Sequence, residues 1–410
     1  MDQAKLYHGG SRTNLDQHPI VMSDVDERVA ELEQRFPTEP EFEWLMRRRA
    51  EGRSGSPYVR PALSELEEWL GAYFRGVLDP TSVVTDAHWF VGGASKVQVG
   101  FTLAHSNSVA QRLVMRMEPG ESLNVTSRSR EYELMNALAD AVPIPKALWV
   151  DSVGTWFPQP VLITEFCAGV AKPTRATSGQ VTGLGTRFGR ELSAELAPQF
   201  MAHLAAIHTF DHTRSELPSF ARPADNSDQA ALWQLNRALR VWEEDRCETF
   251  PLMDIAGRWL AEHVPVIDTI SVIHGDFRSG NFLFDEDTRQ ITAWLDWERG
   301  HLGDRHRDLA WTIQAPFGHF DERGDYLVCG LVREEEFFDW YTDVSGLSVD
   351  PERLRYYKIL NCYQIIAALL GTGYQVVKRG KSHQDILLAR LKGEVGVIAA
   401  DLRRTLLEVL

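Results

Sequence analysis

The stretch that most constrains this chain is 272–298, where two apolar runs enclose a polar loop. It begins VIHGDFRSGNFLF and, after a turn at Asp285-Glu286-Asp287, continues ITAWLDWE. Apolar runs on either side of a polar turn predict a loop followed by a β-hairpin. The pattern places Asp276 in the loop, Asn281 five residues later, and Asp296 at the end of the hairpin.

Two carboxylates and an amide in this order form the residue set used for phosphoryl transfer from a nucleotide. One carboxylate accepts the proton of an acceptor hydroxyl, while an Asn and a second Asp hold the magnesium ion bound to the nucleotide. An isolated His-Gly-Asp more often only shapes a turn. The full loop-strand-turn-strand pattern, with all three polar residues in place, favours the catalytic interpretation.

This segment resembles the catalytic segment of the aminoglycoside phosphotransferase and choline kinase family, whose members are relatives of the protein kinases. The resemblance implies an α+β, bilobal protein-kinase-like fold. Its small N-terminal lobe holds an antiparallel β-sheet, its larger C-terminal lobe is mainly helical, and a helical extension precedes both.

The same resemblance implies site residues and cofactors. Asp276 would be the catalytic base, and Asn281 and Asp296 would hold Mg²⁺. Arg278, inside the loop, would either steady the transferred phosphate or pair with a neighbouring carboxylate. The implied nucleotide is ATP, with GTP as the alternative.

Three parts of the chain are predicted. Residues 1–60 form a partly helical extension, because 51–57 is rich in the Gly, Ser and Pro of a linker. Residues 61–169 form the nucleotide-binding lobe, and 170–410 the lobe with the catalytic loop and the acceptor site. The extension is interpreted as an arm for packing or for forming a homodimer.

A glycine pair lies between the first two predicted strands. Gly92 and Gly93 are followed closely by Ser95. Glycines let a backbone approach phosphate groups and present N–H groups to them. By the resemblance, this loop covers the nucleotide phosphates, and Ser95 would donate its hydroxyl or its backbone amide.

The next predicted strand, 112–117, carries Arg116 where most kinases carry a lysine that contacts the phosphates. An arginine there resembles one subgroup, the kinase domains fused to acyl-CoA dehydrogenases. Arginine keeps the charge but presents a planar fork. Its family-like partner on the following helix is Glu131, with Glu133 as the competitor, because two residues turn a helix by roughly 200°. A surface arginine is the alternative interpretation.

A predicted strand at 160–166 leads into Gly169, where the chain would turn into the second lobe. In kinase-like folds this hinge offers backbone groups to adenine. By position, Glu165 and Cys167 would supply them. A buried edge strand would give the same sequence pattern.

The charge and the cysteines exclude several classes of protein. The net charge is 43 − 58 = −15, which argues against non-specific binding of nucleic acid or of anionic membranes. The four cysteines are scattered, and neither a signal peptide nor a spanning apolar run is recognised, so a cytoplasmic location is expected. The expected partner is a hydroxylated small molecule.

The acceptor is left open between alternatives. The subgroup resemblance favours a hydroxyacyl-CoA or another hydroxylated metabolite. The runner-up is an antibiotic O-phosphotransferase that acts on an aminoglycoside or a macrolide. A catalytically inactive kinase-fold binding protein is the third hypothesis. The acidic run 243–245 could attract a cationic substrate, but a solvated helical face is the preferred interpretation.

Overall fold

The computed structural model describes residues 24–90, 96–106, 108–174 and 184–410. The first half of the chain contributes five strands: β1 (Val83–Trp89), β2 (Val97–Ala104), β3 (Gln111–Met117), β4 (Ala147–Asp151) and β5 (Val161–Glu165). They form one antiparallel sheet in the order β1-β2-β3-β5-β4. This sheet is the antiparallel one that the sequence predicted.

Two helices flank this sheet. Helix α3 (Leu63–Val77) buries Leu66, Leu70 and Phe74 in the same apolar cluster as the inward-facing residues of β2 and β3. Burying side chains of this size stabilises the fold by about 1.5–3 kcal/mol each. Helix α4 (Arg128–Ala137) lies between β3 and β4 in sequence, and the Ser127 hydroxyl caps its start by accepting from the Arg130 amide at 3.4 Å.

The rest of the chain is mainly helical, as predicted. Its helices are α5 (Arg190–His208), α6 (Gln229–Asp245), α7 (Pro251–Glu262), α8 (His306–Thr312), α9 (Glu334–Ser345), α10 (Pro351–Ile366), α11 (Gly373–Lys378), α12 (Asp385–Lys392) and α13 (Val395–Leu407). A π-helical turn, Ala367–Thr372, joins α10 to α11. Together with the sheet, this gives the α+β architecture; the numerical bounds 1–60, 61–169 and 170–410 stay predictions.

Short strands position the catalytic segment among these helices. The predicted hairpin is present as β7 (Phe282–Asp285) and β8 (Gln290–Trp294), which pair with each other. Before and after it, β6 (Ser271–Ile273) pairs with β9 (His301–Gly303), so both ends of the segment are tied together. A separate small sheet consists of β10 (His319–Phe320), β11 (Tyr326–Val328) and β12 (Val332–Arg333).

The extension contains α1 (Asp24–Arg35) and α2 (Pro40–Arg53). The prediction of a linker at 51–57 was wrong in its first half, because α2 continues to Arg53. Tertiary contacts explain the difference: the Arg53 guanidinium ion-pairs with Asp245 at 2.7 Å and also contacts Glu121. Residues 1–23 lie outside the described residues.

The acidic run at the end of α6 is not a solvated face, so that interpretation was wrong. The Asp245 side chain is fully buried and pairs with Arg49 and Arg53 of α2. Burial raises the pKa of this carboxyl, but the two guanidinium groups outweigh burial and hold the pKa below its ordinary value. Glu243 pairs with Arg35 at 3.3 Å. The run therefore docks the extension onto the helical part.

Within the described ranges, no helix combines the length and the apolar character needed to cross a bilayer. The four cysteines are all free thiols; Cys329 and Cys362 are buried.

Candidate functional site

The loop between β6 and β7 is shaped by its first two residues and by a buried carboxylate. Gly275 adopts a left-handed conformation, φ +81°, and a Cβ there would lie 2.6 Å from the Arg299 carbonyl oxygen. Only glycine accepts both conditions. The amides of His274 and Gly275 donate to the two oxygens of Asp308 at 2.7 and 2.8 Å. Asp308 therefore fixes the backbone immediately before Asp276.

Asp308 is charged at neutral pH because its hydrogen bonds and neighbouring groups lower its pKa by more than burial raises it. Burial raises the pKa of this carboxyl, but the hydrogen bond from His208 and the nearby imidazoles bring the pKa down to about 2. The other ring nitrogen of His208 lies 2.8 Å from the hydroxyl of Tyr341.

Asp276 is held in place by two donors. The Trp311 indole N–H donates to its Oδ1 at 2.7 Å, and Arg278 Nε donates to the same oxygen at 3.0 Å. Its side chain remains 18% exposed. The structure thus shows Arg278 in an ion pair with the neighbouring carboxylate, the second of its two predicted alternatives.

Asn281 is held by one hydrogen bond within the loop and by one to the residue before Asp296. The Asn281 side-chain amide donates to the Asp276 carbonyl at 2.8 Å, and the Leu295 amide donates to the Asn281 carbonyl at 2.7 Å. Asp296 has φ +60° and ψ +47°, a left-handed conformation that aspartate tolerates better than most residues. Strained conformations of this kind concentrate at functional sites.

Arg116 connects this loop to α4. Its Nη2 donates to Asp296 Oδ1 at 2.7 Å, and its Nη1 lies 2.8 Å from Glu131 Oε1. Glu133 faces elsewhere and accepts from the amide and the hydroxyl of Ser219 at 3.0 and 2.6 Å. Of the two competing glutamates, the structure places Glu131 against Arg116.

Arg116 and Glu131 belong to a larger buried group of charges, which we name the balanced cluster. Its three cations are Lys96, Arg116 and Arg128, and its three carboxylates are Glu118, Glu131 and Glu298. Lys96 lies 2.7 Å from Glu118, and Arg128 lies 3.1 Å from it. All three cations lie 3.5–3.6 Å from Glu298.

The pKa directions show that charges in this cluster satisfy one another. Burial opposes the charged form in each case. The carboxylates nevertheless raise the pKa of Arg116 and of Arg128, and the cations lower the pKa of Glu118. Sequence reasoning missed Lys96, Glu118 and Arg128 and left Glu298 undecided. The i, i+3 pair formed by Arg128 and Glu131 was the one local signal available.

At the predicted hinge, the backbone N–H of Glu165 donates to the Lys146 carbonyl at 3.0 Å, and the Glu165 side chain is exposed. Cys167 is half-buried, which raises the pKa of its thiol. Gly169 has φ +143°, and a Cβ there would lie 2.7 Å from Thr292 Oγ1. The contact of Glu165 and Cys167 with adenine stays a prediction. Gly92, Gly93 and Ser95 lie outside the described residues.

Comparison with known proteins agrees with this architecture. Residues 92–340, more than half of the chain, match the model of the phosphotransferase enzyme family. The chain is 25% identical to acyl-CoA dehydrogenase family member 10 of Mus musculus over 338 residues, which cover 77% of this chain and 29% of that protein. The chain therefore spans less than a third of this curated relative.

Two further matches bear on enzyme class and fold. An aminoglycoside 3'-phosphotransferase of Streptomyces fradiae is 26% identical over 231 residues, covering 54% of this chain and 73% of that protein. A crystal structure of a putative aminoglycoside phosphotransferase from Ralstonia eutropha JMP134 superimposes with a TM-score of 0.60 at 23% identity, covering 82% of this chain and 97% of that one.

These matches confirm the predicted kinase-like fold and the predicted enzyme class, a phosphotransferase that acts on small molecules. The family match includes strands β2 to β5 of the sheet, the loop between β6 and β7, and the hairpin, and therefore Arg116, Asp276 and Asp296. The chain belongs to the phosphotransferase enzyme family.

Proposed function

We propose that this protein transfers the γ-phosphoryl group of ATP to a hydroxyl group of a small molecule, with Asp276 as the catalytic base. One observation carries the proposal. The Asn281 side-chain amide donates to the Asp276 carbonyl, and the amide of Leu295, the residue before Asp296, donates to the Asn281 carbonyl. Arg116 also reaches Asp296 from the sheet. This arrangement joins a base, two oxygen ligands and a cation.

Asp276 is suited to orient an acceptor hydroxyl. Trp311 and Arg278 both donate to Oδ1, which fixes the rotation of the carboxylate. Fixing Oδ1 also fixes the position of Oδ2, and Oδ2 can then accept the proton of a bound hydroxyl. Because phosphoryl transfer has a loose transition state, most of the catalytic effect comes from this positioning.

The residues present fit a magnesium ion. Among the described residues, no group of three or more His, Cys, Asp or Glu side chains could hold a metal. Magnesium does not need such a group, because it keeps several waters and binds one or two protein oxygens together with nucleotide phosphates. Asn281 and Asp296 would supply those protein oxygens. When bound, the ion would neutralise charge on the phosphates.

Arg116 is proposed to face the nucleotide phosphates, supported by its contacts with Asp296 and Glu131 on either side. Gly92, Gly93 and Ser95 are proposed to cover the phosphates, and Glu165 and Cys167 to contact the base. ATP is the proposed nucleotide and GTP the alternative.

For the acceptor, similarity to the mouse acyl-CoA dehydrogenase relative supports a hydroxyacyl-CoA or a related hydroxylated metabolite. Similarity to the Streptomyces aminoglycoside 3'-phosphotransferase keeps antibiotic phosphorylation as the second candidate. An inactive binding protein would lack the transfer activity that the first two candidates share.

Replacing the proposed base tests the function. In Asp276→Asn, Mg–ATP should still bind, whereas phosphoryl transfer, including slow transfer to water, should fall by about 10²–10⁴-fold, the contribution of a general base. Calorimetry measures the binding, and release of ADP measures the transfer. Full turnover in this variant would reject Asp276 as the base.

A second variant separates metal binding from catalysis. Asp296→Ala should weaken nucleotide binding only when Mg²⁺ is present, because the metal loses a protein oxygen. Equal Mg–ATP affinity in the wild type and in this variant would remove Asp296 from the metal site. Absence of any magnesium-dependent nucleotide binding by the wild type would favour the inactive binding protein.

A further inference from the structure

A small cavity of about 70 Å³ lies where α2, the segment after β3, α6 and the π-helical turn meet. Three arginines line it, Arg237, Arg299 and Arg307, and we name it the arginine pocket. Its other polar lining residues are Asn124, Gln234 and Gln364. A water molecule occupies about 30 Å³ in the liquid, so the space is of the size of one carboxylate or phosphate group.

The charges of the arginine pocket are not balanced. Arg237 lies 3.3 Å from Glu39, but that carboxylate already accepts two hydrogen bonds from Arg130, at 2.7 and 2.6 Å. In the part of the chain that the structure describes, no carboxylate lies within ion-pairing distance of Arg299 or Arg307. Glu39 is therefore the one carboxylate at ion-pairing distance from the three arginines among the described residues, and Asp308 acts on Arg299 and Arg307 from further away.

Unmet hydrogen-bonding capacity accompanies this excess of charge. Arg307 is 3% exposed, and its buried Nε has no hydrogen-bond partner among the described residues. The side-chain oxygen of Gln364 is also buried without one; because it is an acceptor, it fits a water molecule and not an oxyanion. Buried polar groups in native proteins normally have partners, so such groups call for a ligand or ordered water.

The arginines of the pocket also repel one another, which lowers their pKa values. Burial lowers the pKa of Arg237 to about 10, with Arg130 and Arg299 adding to the effect. Burial lowers the pKa of Arg307 to about 9, with Arg299 and Arg237 adding to it. Both groups remain protonated at neutral pH and repel each other. An anion that binds between them would relieve this repulsion, which favours its binding.

The pocket adjoins the catalytic loop. The Arg299 backbone packs against Gly275, and its guanidinium lies 4.3 Å from the centre of the Trp311 ring. Trp311 donates from the same indole to Asp276. A single indole ring thus separates one arginine of the pocket from the proposed base.

We propose that the arginine pocket binds an oxyanion, a carboxylate or phosphate group carried by the acceptor, so that the acceptor is an anionic hydroxyl compound. This inference rests on the proposed function, because it requires that Asp276 faces the acceptor. It also disfavours a polycationic acceptor, which three nearby arginines would repel.

The first test uses inorganic phosphate as the probe. Phosphate is titrated into the full chain by calorimetry at constant ionic strength, with Mg²⁺ and a non-hydrolysable ATP analogue at saturation to block the nucleotide site. Arg237→Gln should weaken phosphate binding by about 10-fold or more, the usual loss for a hydrogen bond to a charged group. It should leave binding of the analogue unchanged.

Arg222→Gln is the matched control. Arg222 is an exposed arginine that pairs with Asp225, so its loss should leave phosphate affinity unchanged. No phosphate binding by the wild type, or equal binding by the wild type and Arg237→Gln, overturns the proposed site. Failure of the ATP analogue to bind would instead count against the proposed function, so the two failures are distinguishable.

The second test identifies the source of the oxyanion. Hydroxycarboxylates of increasing chain length are added as competitors of phosphate, each beside its uncharged methyl ester. Displacement by the acids but not by the esters supports an acceptor-borne group. If phosphate binds and no acid displaces it, the site serves free phosphate and the acceptor assignment is overturned.

Discussion

The balanced cluster and the arginine pocket are both buried and both rich in arginine, yet their charges behave in opposite ways. In the cluster, the pKa of Arg116 and of Arg128 is raised, because carboxylates surround them. In the pocket, the pKa of Arg237 and of Arg307 is lowered, because burial is not compensated. Arginine side chains have several carboxylates at ion-pairing distance in the cluster and few in the pocket.

This difference in the number of neighbouring carboxylates distinguishes a buried charge cluster that stabilises the fold from one that can bind a ligand. Buried ion pairs with several partners hold elements in position, and breaking one leaves an uncompensated charge. Buried cations with few carboxylates around them gain less from the fold and gain more from an anionic ligand. The balanced cluster joins the sheet, α4 and the loop after β8, which is a scaffold role. The arginine pocket has the features of a binding site for an anion.

The largest expected effect comes from removing a carboxylate of the balanced cluster. Glu131→Gln removes the buried carboxylate that Arg116 and Arg128 share. Arg116 then keeps Asp296 and Arg128 keeps Glu118 as the remaining close carboxylate, so the free energy of unfolding should fall by about 3 kcal/mol. Urea denaturation measures it. Glu133→Gln, two residues away on the same helix, is the control and should cost about 1 kcal/mol, because it loses only hydrogen bonds to Ser219. Equal losses would contradict the scaffold role.

An intermediate effect is expected on acidification. The pKa of Asp308 is about 2 in the folded chain against an ordinary 3.8. A depressed carboxyl pKa stabilises the fold above the ordinary value, and this contribution disappears as the pH falls from about 4 through about 2. The loss should be about 2 kcal/mol.

Burial lowers the pKa of Arg299 and of Arg307, and Asp308 opposes this effect. Protonation of Asp308 therefore removes a negative charge from beside the arginine pocket. Urea denaturation between pH 5 and pH 2 measures the slope. Asp308→Asn should be less stable at neutral pH and should show a flatter acid slope. The same slope in both proteins would assign the acid sensitivity to other carboxyls.

The smallest expected effect is on the pocket itself. Arg237→Gln removes one of three mutually repelling cations, while Glu39 keeps its two hydrogen bonds from Arg130. Without added anion, the free energy of unfolding should change by less than about 0.5 kcal/mol or rise slightly. Urea denaturation in chloride buffer measures it. A decrease in the free energy of unfolding as large as that of Glu131→Gln would show that the pocket stabilises the fold as the balanced cluster does.

Much of the fold and part of the candidate site could be predicted because the signals are local. The loop and hairpin at 272–298 occupy one short stretch, where alternation of apolar residues reveals strands and turn residues mark their ends. Asp276, Asn281 and Asp296 are therefore visible together. Arg116 could be located from its strand, and Glu131 from the turn of the next helix.

The linker boundary and the character of the acidic run were predicted wrongly because both depend on distant partners. Local composition marks 51–57 as a linker and 243–245 as a solvated face. In the structure, Arg53 and Asp245 pair across nearly two hundred residues of sequence. Propensity is a weak prior that tertiary contacts of this kind override.

The sequence by itself determined the loop and hairpin at 272–298 and the family pattern, because spacing along one loop and hairpin is a local property. Only the tertiary structure decided how buried charges are grouped. Lys96, Glu118 and Glu298 come from separate segments, as do Arg237, Arg299 and Arg307. No periodicity in a sequence records which charges meet. Whether an arginine is satisfied depends on carboxylates that reach it through space, and the packing of the whole chain sets those distances.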